Sequence, residues 1–335
     1  MRKIFVLMAF VMLMPFSSVF ADGHVMPIAD TVIALAEGDE PEFTTLLTAI
    51  QAADPAVLEV LADPEAELTV FAPTDAAFAA LAEALGEEAF GALLEDTATL
   101  TAILRYHVVP GAVMSADVVA GLEESMMEDD MMGSSFFVST AQGIRAEVAQ
   151  EGEDEPITVG GAPLNLEMLD VAAANGVIHV VDAVMVPPLE TIADVVVAST
   201  EADEPEFTTL LAAVGAADPS VLELLADPAS NITVFAPTDE AFAALGEDTI
   251  AAVVADMATV TGILQYHVLP GVVYSDQVVE LVADGPVSVE MADGNTAEVT
   301  PELTIAGAGI VTTDIETING VIHVIDAVIL PPEGE

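Results

Sequence analysis

The chain repeats itself at a spacing that has the size of a whole domain. A stretch of about forty residues that begins PEFTTLL returns roughly 160 residues later with few changes, which is too long an offset for a solenoid repeat. Three landmarks return in the same order: FAPTD at 71–75 and 235–239, YHV at 106–108 and 266–268, and NGVIHV at 175–180 and 319–324. The sequence therefore predicts two copies of one module.

The first 21 residues are predicted to be a secretory signal peptide. Arg2 and Lys3 precede an apolar run, and Val19-Phe20-Ala21 has the small-x-small pattern of a cleavage site. The run is too short for a convincing membrane span. We expect a secreted protein, extracellular or periplasmic and cell-surface associated, with no membrane span and with domains over 24–187 and 188–332.

The charge balance is extreme, with 57 acidic residues against four Lys and Arg and a formal net charge of −53. Beyond the signal peptide only Arg105 and Arg145 are basic. Nothing in such a chain would neutralise phosphates, which excludes a nucleic-acid partner. Because 53% of the residues are hydrophobic, we expect a filled core under an acidic surface. Saline surroundings explain that surface most simply. Binding of divalent cations is the alternative, although no acidic run has the spacing of a calcium loop.

The motif residues have clear local roles. Thr74 and Asp75, like Thr238 and Asp239, follow an apolar strand and are predicted to cap and open the next helix. Asn-Gly at Asn175 and Asn319 predicts a hairpin turn into the final strand of each copy. That strand is almost continuously apolar, so we expect it in a sheet covered on both faces.

The two copies differ by about 20 residues in length, most of them near 123–161 in the first copy. This insertion is rich in Met and acidic residues and is predicted to be a solvent-facing loop. The linker Pro187-Pro188-Leu189 is short and stiff, which favours a fixed or semi-rigid pair of domains.

These landmarks together resemble the fasciclin (FAS1) family. Thr69–Phe78 and Thr233–Phe242 resemble the first conserved block of that family. Residues 106–107 and 266–267 resemble its Tyr-His motif, and residues 175–184 and 319–328 resemble its second block. The resemblance implies an α+β fold, a wedge-like β-sandwich flanked by a group of helices in each copy. It also implies a role in adhesion or matrix association, and it makes Tyr106, His107, Tyr266 and His267 candidate adhesion positions.

The histidines are the obvious catalytic candidates, but no nucleophile motif, HExxH or paired-carboxylate pattern accompanies them. His179 and His323 alternate with apolar residues on a predicted strand. The simpler interpretation is a core histidine whose ring is hydrogen-bonded to the backbone or, for His179, to Asp75 or Asp182. We therefore expect no enzyme activity and no cofactor.

A copper site is the alternative function. Cleavage after Ala21 would place His24 third from a free amine, a square-planar donor set for Cu(II). A methionine cluster in the insertion offers thioethers for Cu(I), and it consists of Met126, Met127, Met131 and Met132.

The favoured interpretation is a secreted, non-enzymatic tandem protein that binds an extracellular protein or polysaccharide, or a neighbouring cell surface. Two modules raise avidity for a repetitive partner. Ca²⁺ could bridge the acidic surface to other acidic polymers.

Overall fold

The computed structural model describes residues 25–38, 41–128, 134–152, 155–202 and 205–332. The first domain contains helices and strands in this order: α1 Ile28–Ala36, α2 Thr44–Ala52, α3 Pro55–Ala62, β1 Leu68–Pro73, α4 Asp75–Leu85, α5 Glu87–Glu95, α6 Thr97–Tyr106, β2 Val108–Pro110, α7 Ser115–Glu128, β3 Ser134–Ser139, β4 Arg145–Gln150, β5 Thr158–Val159, β6 Ala162–Pro163, β7 Val171–Ala173 and β8 Gly176–Val181.

The second domain repeats this order with small differences. Its elements are α8 Ile192–Thr200, α9 Thr208–Ala216, α10 Pro219–Ala226, β9 Ile232–Pro237, α11 Asp239–Leu245, α12 Glu247–Val254, α13 Met257–Tyr266, β10 Val268–Pro270, α14 Ser275–Leu281, β11 Val287–Glu290, β12 Thr296–Thr300, β13 Thr304–Ile305, β14 Ala308–Thr317 and β15 Gly320–Ile325. The predicted α+β class is confirmed.

Each domain is built around a parallel pair of strands. In the first domain the strand order is β2-β1-β8-β7, and a second antiparallel sheet has the order β3-β4-β5-β6. In the second domain the long strand β14 pairs with β15 at one end and with β13 at the other, which joins the two sheets into one order, β10-β9-β15-β14-β13-β12-β11. The alternation of side chains along the central strands lets them face a different core on each side.

The two faces of β1 show this arrangement. Val70 and Ala72 pack with the helices, whereas Phe71 packs with the second sheet. All six residues of β1 are buried, as are the last five of β8. The prediction of a sheet covered on both faces is therefore confirmed by burial.

The local signals in the sequence explain where several helices begin. Asp54 accepts a hydrogen bond from Ala56 N and is followed by proline in the first turn of α3. Thr74 accepts one from Ala77 N at the start of α4. The Asn-Gly hairpins are also present, with Ala173 opposite Gly176 and Thr317 opposite Gly320.

Gly176 occupies a position where no other residue fits. Its φ is +151°, and a Cβ there would lie 1.8 Å from the carbonyl oxygen of Leu68 on the parallel neighbour β1. Gly320 has the same relation to Ile232 in the second domain. The glycine of the Asn-Gly pair therefore serves strand pairing as well as the turn.

The extra length of the first domain is not confined to one loop. Helix α7 has 14 residues where α14 has 7, and α4 has 11 where α11 has 7. Met126 and Met127 thus lie in the last turns of a helix, which corrects the prediction of a loop for that part of the insertion. Helical hydrogen bonding absorbs the added residues without disturbing the sheets.

The two domains contact one another through Arg145, which is one of the two cations outside the predicted signal peptide. Its guanidinium lies 4.0 Å from the ring centroid of Phe137 and 4.1 Å from that of Tyr274. It also donates from Nε to Glu316 Oε1 at 3.1 Å and pairs with Asp276 at 3.5 Å. Stacked aromatic faces and a carboxylate are the surroundings that a planar guanidinium prefers.

Backbone contacts add to this junction. The amide of Arg145 donates to the hydroxyl of Tyr274 at 3.0 Å. Gln142 is fully buried, and its Nε2 donates to the carbonyl oxygens of Pro228 at 2.8 Å and Ile318 at 2.9 Å. The orientation of the domains is thus held by side chains outside the Pro187-Pro188 linker as well as by the linker itself.

We expect Arg145→Met to release the domains from their fixed orientation while both remain folded, because each hydrophobic core is built from one domain alone. The loss of a stacked, charge-assisted contact should weaken the junction by about 1–3 kcal/mol. Small-angle X-ray scattering should show a larger radius of gyration. Arg105→Gln, which removes the other cation, is the matched control, and an unchanged curve for Arg145→Met would contradict this view of the junction.

Candidate functional site

The polar residues that are repeated in both domains converge on the parallel strand pair. The register places Phe71 beside His179 and Phe235 beside His323. In both pairs the ring centroids are 5.7 Å apart. The first and last landmark segments, about 100 residues apart in sequence, therefore meet in space.

His107 and His267 lie at the ends of α6 and α13 and are buried. His107 Nδ1 donates to the carbonyl oxygen of Ile103 at 2.8 Å, and its Nε2 accepts from the amide of Met185 at 2.9 Å. Each ring is therefore a neutral bridge between a helix end and the segment that follows the final strand. Burial lowers the pKa of both histidines to about 4, although the hydrogen bond to a helix carbonyl opposes the shift.

Tyr106 and Tyr266 precede these histidines and are also buried, with 6% and 3% of their surface exposed. Their hydroxyls donate to the carbonyl oxygens of Arg145 at 3.3 Å and Thr296 at 3.0 Å. Burial, together with nearby carboxylates, raises the pKa of Tyr106 to about 12. The Tyr-His side chains are thus enclosed by their own domain, and their predicted role as adhesion positions stays a prediction.

His179 and His323 have the opposite tautomer but an equally internal role. His179 Nε2 donates to the carbonyl oxygen of Val113 at 2.8 Å, and Nδ1 accepts from the amide of Asp170 at 3.2 Å. The nearest carboxylate is that of Asp170, 4.0 Å from Nδ1, and not Asp75 or Asp182 as the sequence suggested. Burial lowers the pKa of both rings, against the opposing effects of the backbone hydrogen bond and the neighbouring aspartate.

Sequence reasoning missed a Ser-Asp pair next to this histidine. Asp170 accepts hydrogen bonds from both the amide and the hydroxyl of Ser115, and Asp314 does the same with Ser275. Asp170 and Asp314 have φ of 55° and 61°, a strained conformation that these contacts hold in place. The nine-residue spacing between Asp170 and His179, which is repeated between Asp314 and His323, was the signal that could have revealed the aspartate.

Ser115, His179 and Asp170 have the composition of a catalytic triad but the wrong connections. The serine hydroxyl bonds to the aspartate instead of the histidine. The histidine Nε2, which would accept the serine proton, is already donating to a backbone carbonyl. A nucleophile needs a hydrogen bond to its base, so this group holds three segments together and is not arranged for acyl transfer.

Asp75 and Asp239 are each the first residue of one helix, α4 or α11. Each also accepts hydrogen bonds from the first residues of a second helix, α2 or α9. Asp75 accepts from the amide of Thr45 at 2.7 Å and from the amide and hydroxyl of Thr44. Partial burial would raise the pKa of Asp75, but these hydrogen bonds outweigh it and lower the pKa, as they do for Asp239. Both aspartates thus fasten the first residues of α2 or α9 to the strand-to-helix turn.

Asn175 and Asn319 are buried junctions as well as turn residues. Asn175 Oδ1 accepts from the amide of Ile28 at 2.8 Å, at the start of α1, while Nδ2 donates to the carbonyl oxygens of Leu61 and Asp63. Asn319 makes the same three contacts in the second domain, to Ile192, Leu225 and Asp227. One amide therefore satisfies a helix start and a helix end that lack partners of their own.

The predicted copper ligands fall mostly beyond these contacts. His24, Met131 and Met132 lie outside the described residues, and only the helical backbone of Met126 and Met127 is described. Within the described ranges, no cluster of three or more His, Asp or Glu side chains is placed to hold a metal ion. Copper binding stays a prediction.

The comparisons with known proteins agree with this arrangement. The fasciclin domain model matches residues 41–187 and 205–331. The chain belongs to the fasciclin domain family. Fasciclin domains thus occupy most of it, and the expected family and tandem organisation are confirmed.

Similar proteins come from bacteria and animals. The chain is 39% identical over 132 residues to Protein sll1483 of Synechocystis sp., covering 38% of this chain and 68% of that protein. It is 29% identical over 273 residues to transforming growth factor-beta-induced protein ig-h3 of Sus scrofa, covering 80% of this chain but 35% of that protein. The chain thus spans about two thirds of the first relative and about a third of the second.

A solved FAS1 domain pair from the insect cell adhesion molecule Fasciclin I is also similar to this chain. The match covers 87% of this chain and 97% of that chain, with 20% identity and a TM-score of 0.33. As for membranes, none of the helices in the described ranges is by itself long and apolar enough to cross one.

We expect acidification to destabilise each domain through its buried Tyr-His histidine. His107 has a pKa of about 4 when folded and an ordinary value of 6.5 when unfolded. The unfolded chain therefore takes up the proton first, so that stability is full above pH 6.5 and is lost as the pH falls towards 4. The loss should reach about 3 kcal/mol per histidine.

Urea unfolding of the wild type and of His107→Gln at both ends of this pH range would measure that loss. The two proteins share the same acidic surface, so the difference between their pH slopes isolates the histidine. His267→Gln should flatten the transition of the second domain in the same way. Parallel pH slopes for variant and wild type would contradict the buried neutral ring.

We expect Asn175→Ala to lower the free energy of unfolding of the first domain by about 2–4 kcal/mol, because one buried amide and two carbonyls lose their partner. Differential scanning calorimetry would measure it. Asn295→Ala is the control. That half-buried turn residue bonds its side-chain amide only to Asp293, so its loss should stay below about 1 kcal/mol. Equal losses for both variants would refute the junction role of Asn175.

Proposed function

We propose that the chain is a secreted, non-enzymatic adhesion or matrix-binding protein that acts at the cell surface or in an extracellular matrix. Its partners are an extracellular protein or polysaccharide, or a neighbouring cell surface. The observation that carries the proposal is the presence of two fasciclin domains, the second a near copy of the first, over most of the chain. Duplication serves avidity for a repetitive partner better than it serves a single reaction centre.

The internal contacts of the motif residues support a binding role. The tyrosines, histidines and asparagines of the landmark segments are buried and engaged with backbone groups. These residues stabilise the fold, which leaves partner contacts to the exposed surface of the two domains. That surface is overwhelmingly acidic.

An acidic surface favours partners reached through cations. Two anionic polymers repel one another until salt screens them within roughly 8 Å at physiological ionic strength. Divalent cations shared between carboxylates of both partners would turn repulsion into attachment. Adhesion of this kind depends on Ca²⁺ more than on ionic strength alone.

The full processed chain, coupled to beads, tests the proposal. We expect the beads to retain acidic matrix polysaccharide or cells from the producing organism in the presence of Ca²⁺ and to lose them when a chelator is added. NaCl at matched ionic strength is the control for screening. The Arg145→Met variant keeps both domains but frees their orientation, and we expect it to bind a repetitive partner about tenfold or more weakly.

Two results would count against the proposal. One is a lack of retention on any matrix or cell, with and without Ca²⁺. The other is turnover on a panel of esters and glycans that survives repurification, because this would place the protein among hydrolases.

A further inference from the structure

A cleft of about 650 Å³ lies where the first domain meets the second. Helices α3 and α6 form its sides, and Ala229 of the second domain contributes to its rim. Its walls are largely apolar, with Val57, Leu61 and Ala102 among the residues that line it. Clefts of this size at domain junctions are preferred places for small-molecule ligands.

Arg105 is the cation of this cleft. It is half-buried, and its Nη2 donates to the carbonyl oxygen of Ala141 at 2.7 Å. In the part of the chain that the structure describes, no carboxylate oxygen lies within 4 Å of it, although the protein holds 57 acidic residues. Arg145, by contrast, pairs with two carboxylates. The remaining donors of the Arg105 guanidinium are therefore available to an anion.

The other polar side chains of the cleft are partly engaged within the protein, while the buried Oε1 of Gln142 has no hydrogen-bond partner. Asp54 is exposed, and its Oδ1 accepts from the amide of Ala56 at the start of α3. The hydroxyl of Thr101 accepts from the amide of Asp54 at 2.9 Å. Both Nε2 hydrogens of Gln142 are donated to the second domain. Arg105 is thus the cationic lining residue, and it keeps spare donors.

The duplicated domain shows what the cleft would be without this charge. The residue that corresponds to Arg105 is Gln265, since the two stand directly before the Tyr-His pairs. The two helices end in the same way, with His107 and His267 making equivalent bonds. The guanidinium is therefore not required to build α6, and the fold tolerates glutamine at this position.

We propose that this cleft binds a small apolar molecule that carries a carboxylate. The carboxylate would pair with the Arg105 guanidinium, whose planar donors match its two oxygens. The hydrocarbon part would lie against the valine, leucine and alanine side chains of α3 and α6 and lose its contact with water. This binding activity is separate from adhesion and depends on the charge of Arg105, which the fold does not require.

Titration of the full processed chain with octanoate, followed by calorimetry in about 0.5 M NaCl to screen the acidic surface, tests the proposal. Octanol, which has the same chain without the charge, is the ligand control. We expect the wild type to bind octanoate with one site per chain and octanol about tenfold or more weakly. In Arg105→Gln the affinity for octanoate should fall to that for octanol.

A second pair of variants tests the apolar wall. Val60 lines the cleft and is 46% exposed, so its substitution leaves the core intact. Val60→Glu places a carboxylate where it competes for Arg105, and we expect octanoate binding to be lost. Val60→Leu installs the residue that the second domain has at the corresponding place, Leu224, and should retain binding.

Three results would overturn the proposal, provided circular dichroism shows that the variants are folded. The first is the absence of octanoate binding to the wild type at millimolar concentration. The second is equal affinity of the wild type for octanol and octanoate. The third is an Arg105→Gln variant that binds octanoate as tightly as the wild type does.

Discussion

The parallel pairing of β1 with β8, and of β9 with β15, is the contact on which each domain depends. It joins segments about 100 residues apart, so its formation closes a long loop. The conformational entropy lost on closing that loop must be offset by favourable contacts at the strand pair. Three features supply that compensation: a glycine where a Cβ would strike the neighbouring strand, a buried asparagine that ties two helices to the turn, and a histidine stacked on a phenylalanine. They belong to the first and last landmark segments, and this explains why those two segments carry most of the resemblance between the copies.

The polar residues of these segments are internal because they pair with backbone groups of helix ends and of neighbouring segments. The start of α1 has no side-chain cap, and Asn175 reaches it from 147 residues away in the sequence. His107 and His179 each use both ring nitrogens on backbone groups, in opposite tautomers. Buried polar atoms that are fully paired specify one arrangement of the chain. The same pairing places these side chains inside their own domain, away from the exposed acidic surface.

Much of the architecture could be predicted from the sequence because its signals are local. The Asp54-Pro55 and Thr74 caps, the Asn-Gly hairpins and the apolar final strands all depend on neighbours within a few residues. The contacts that were missed depend on residues far apart. Asp170 rather than Asp75 or Asp182 lies beside His179 because it directly precedes β7, which pairs with the strand that carries the histidine. Likewise, the sequence did not predict that α7 extends to Glu128. The acidic composition of that segment is typical of a loop.

The two arginines beyond the predicted signal peptide have opposite surroundings, although they lie on adjoining parts of one domain. Arg145 lies between Phe137 of its own domain and Tyr274 of the second domain, and it pairs with two carboxylates of the second domain, which satisfies its charge within the protein. Arg105 makes one bond, to a backbone oxygen, and keeps its charge uncompensated among the described residues. The chain holds 57 acidic residues that could pair with an arginine. The fold nevertheless places none of the described carboxylates within 4 Å of Arg105. The second domain, which has glutamine at that place and builds the same helix end, shows that folding alone does not demand the charge.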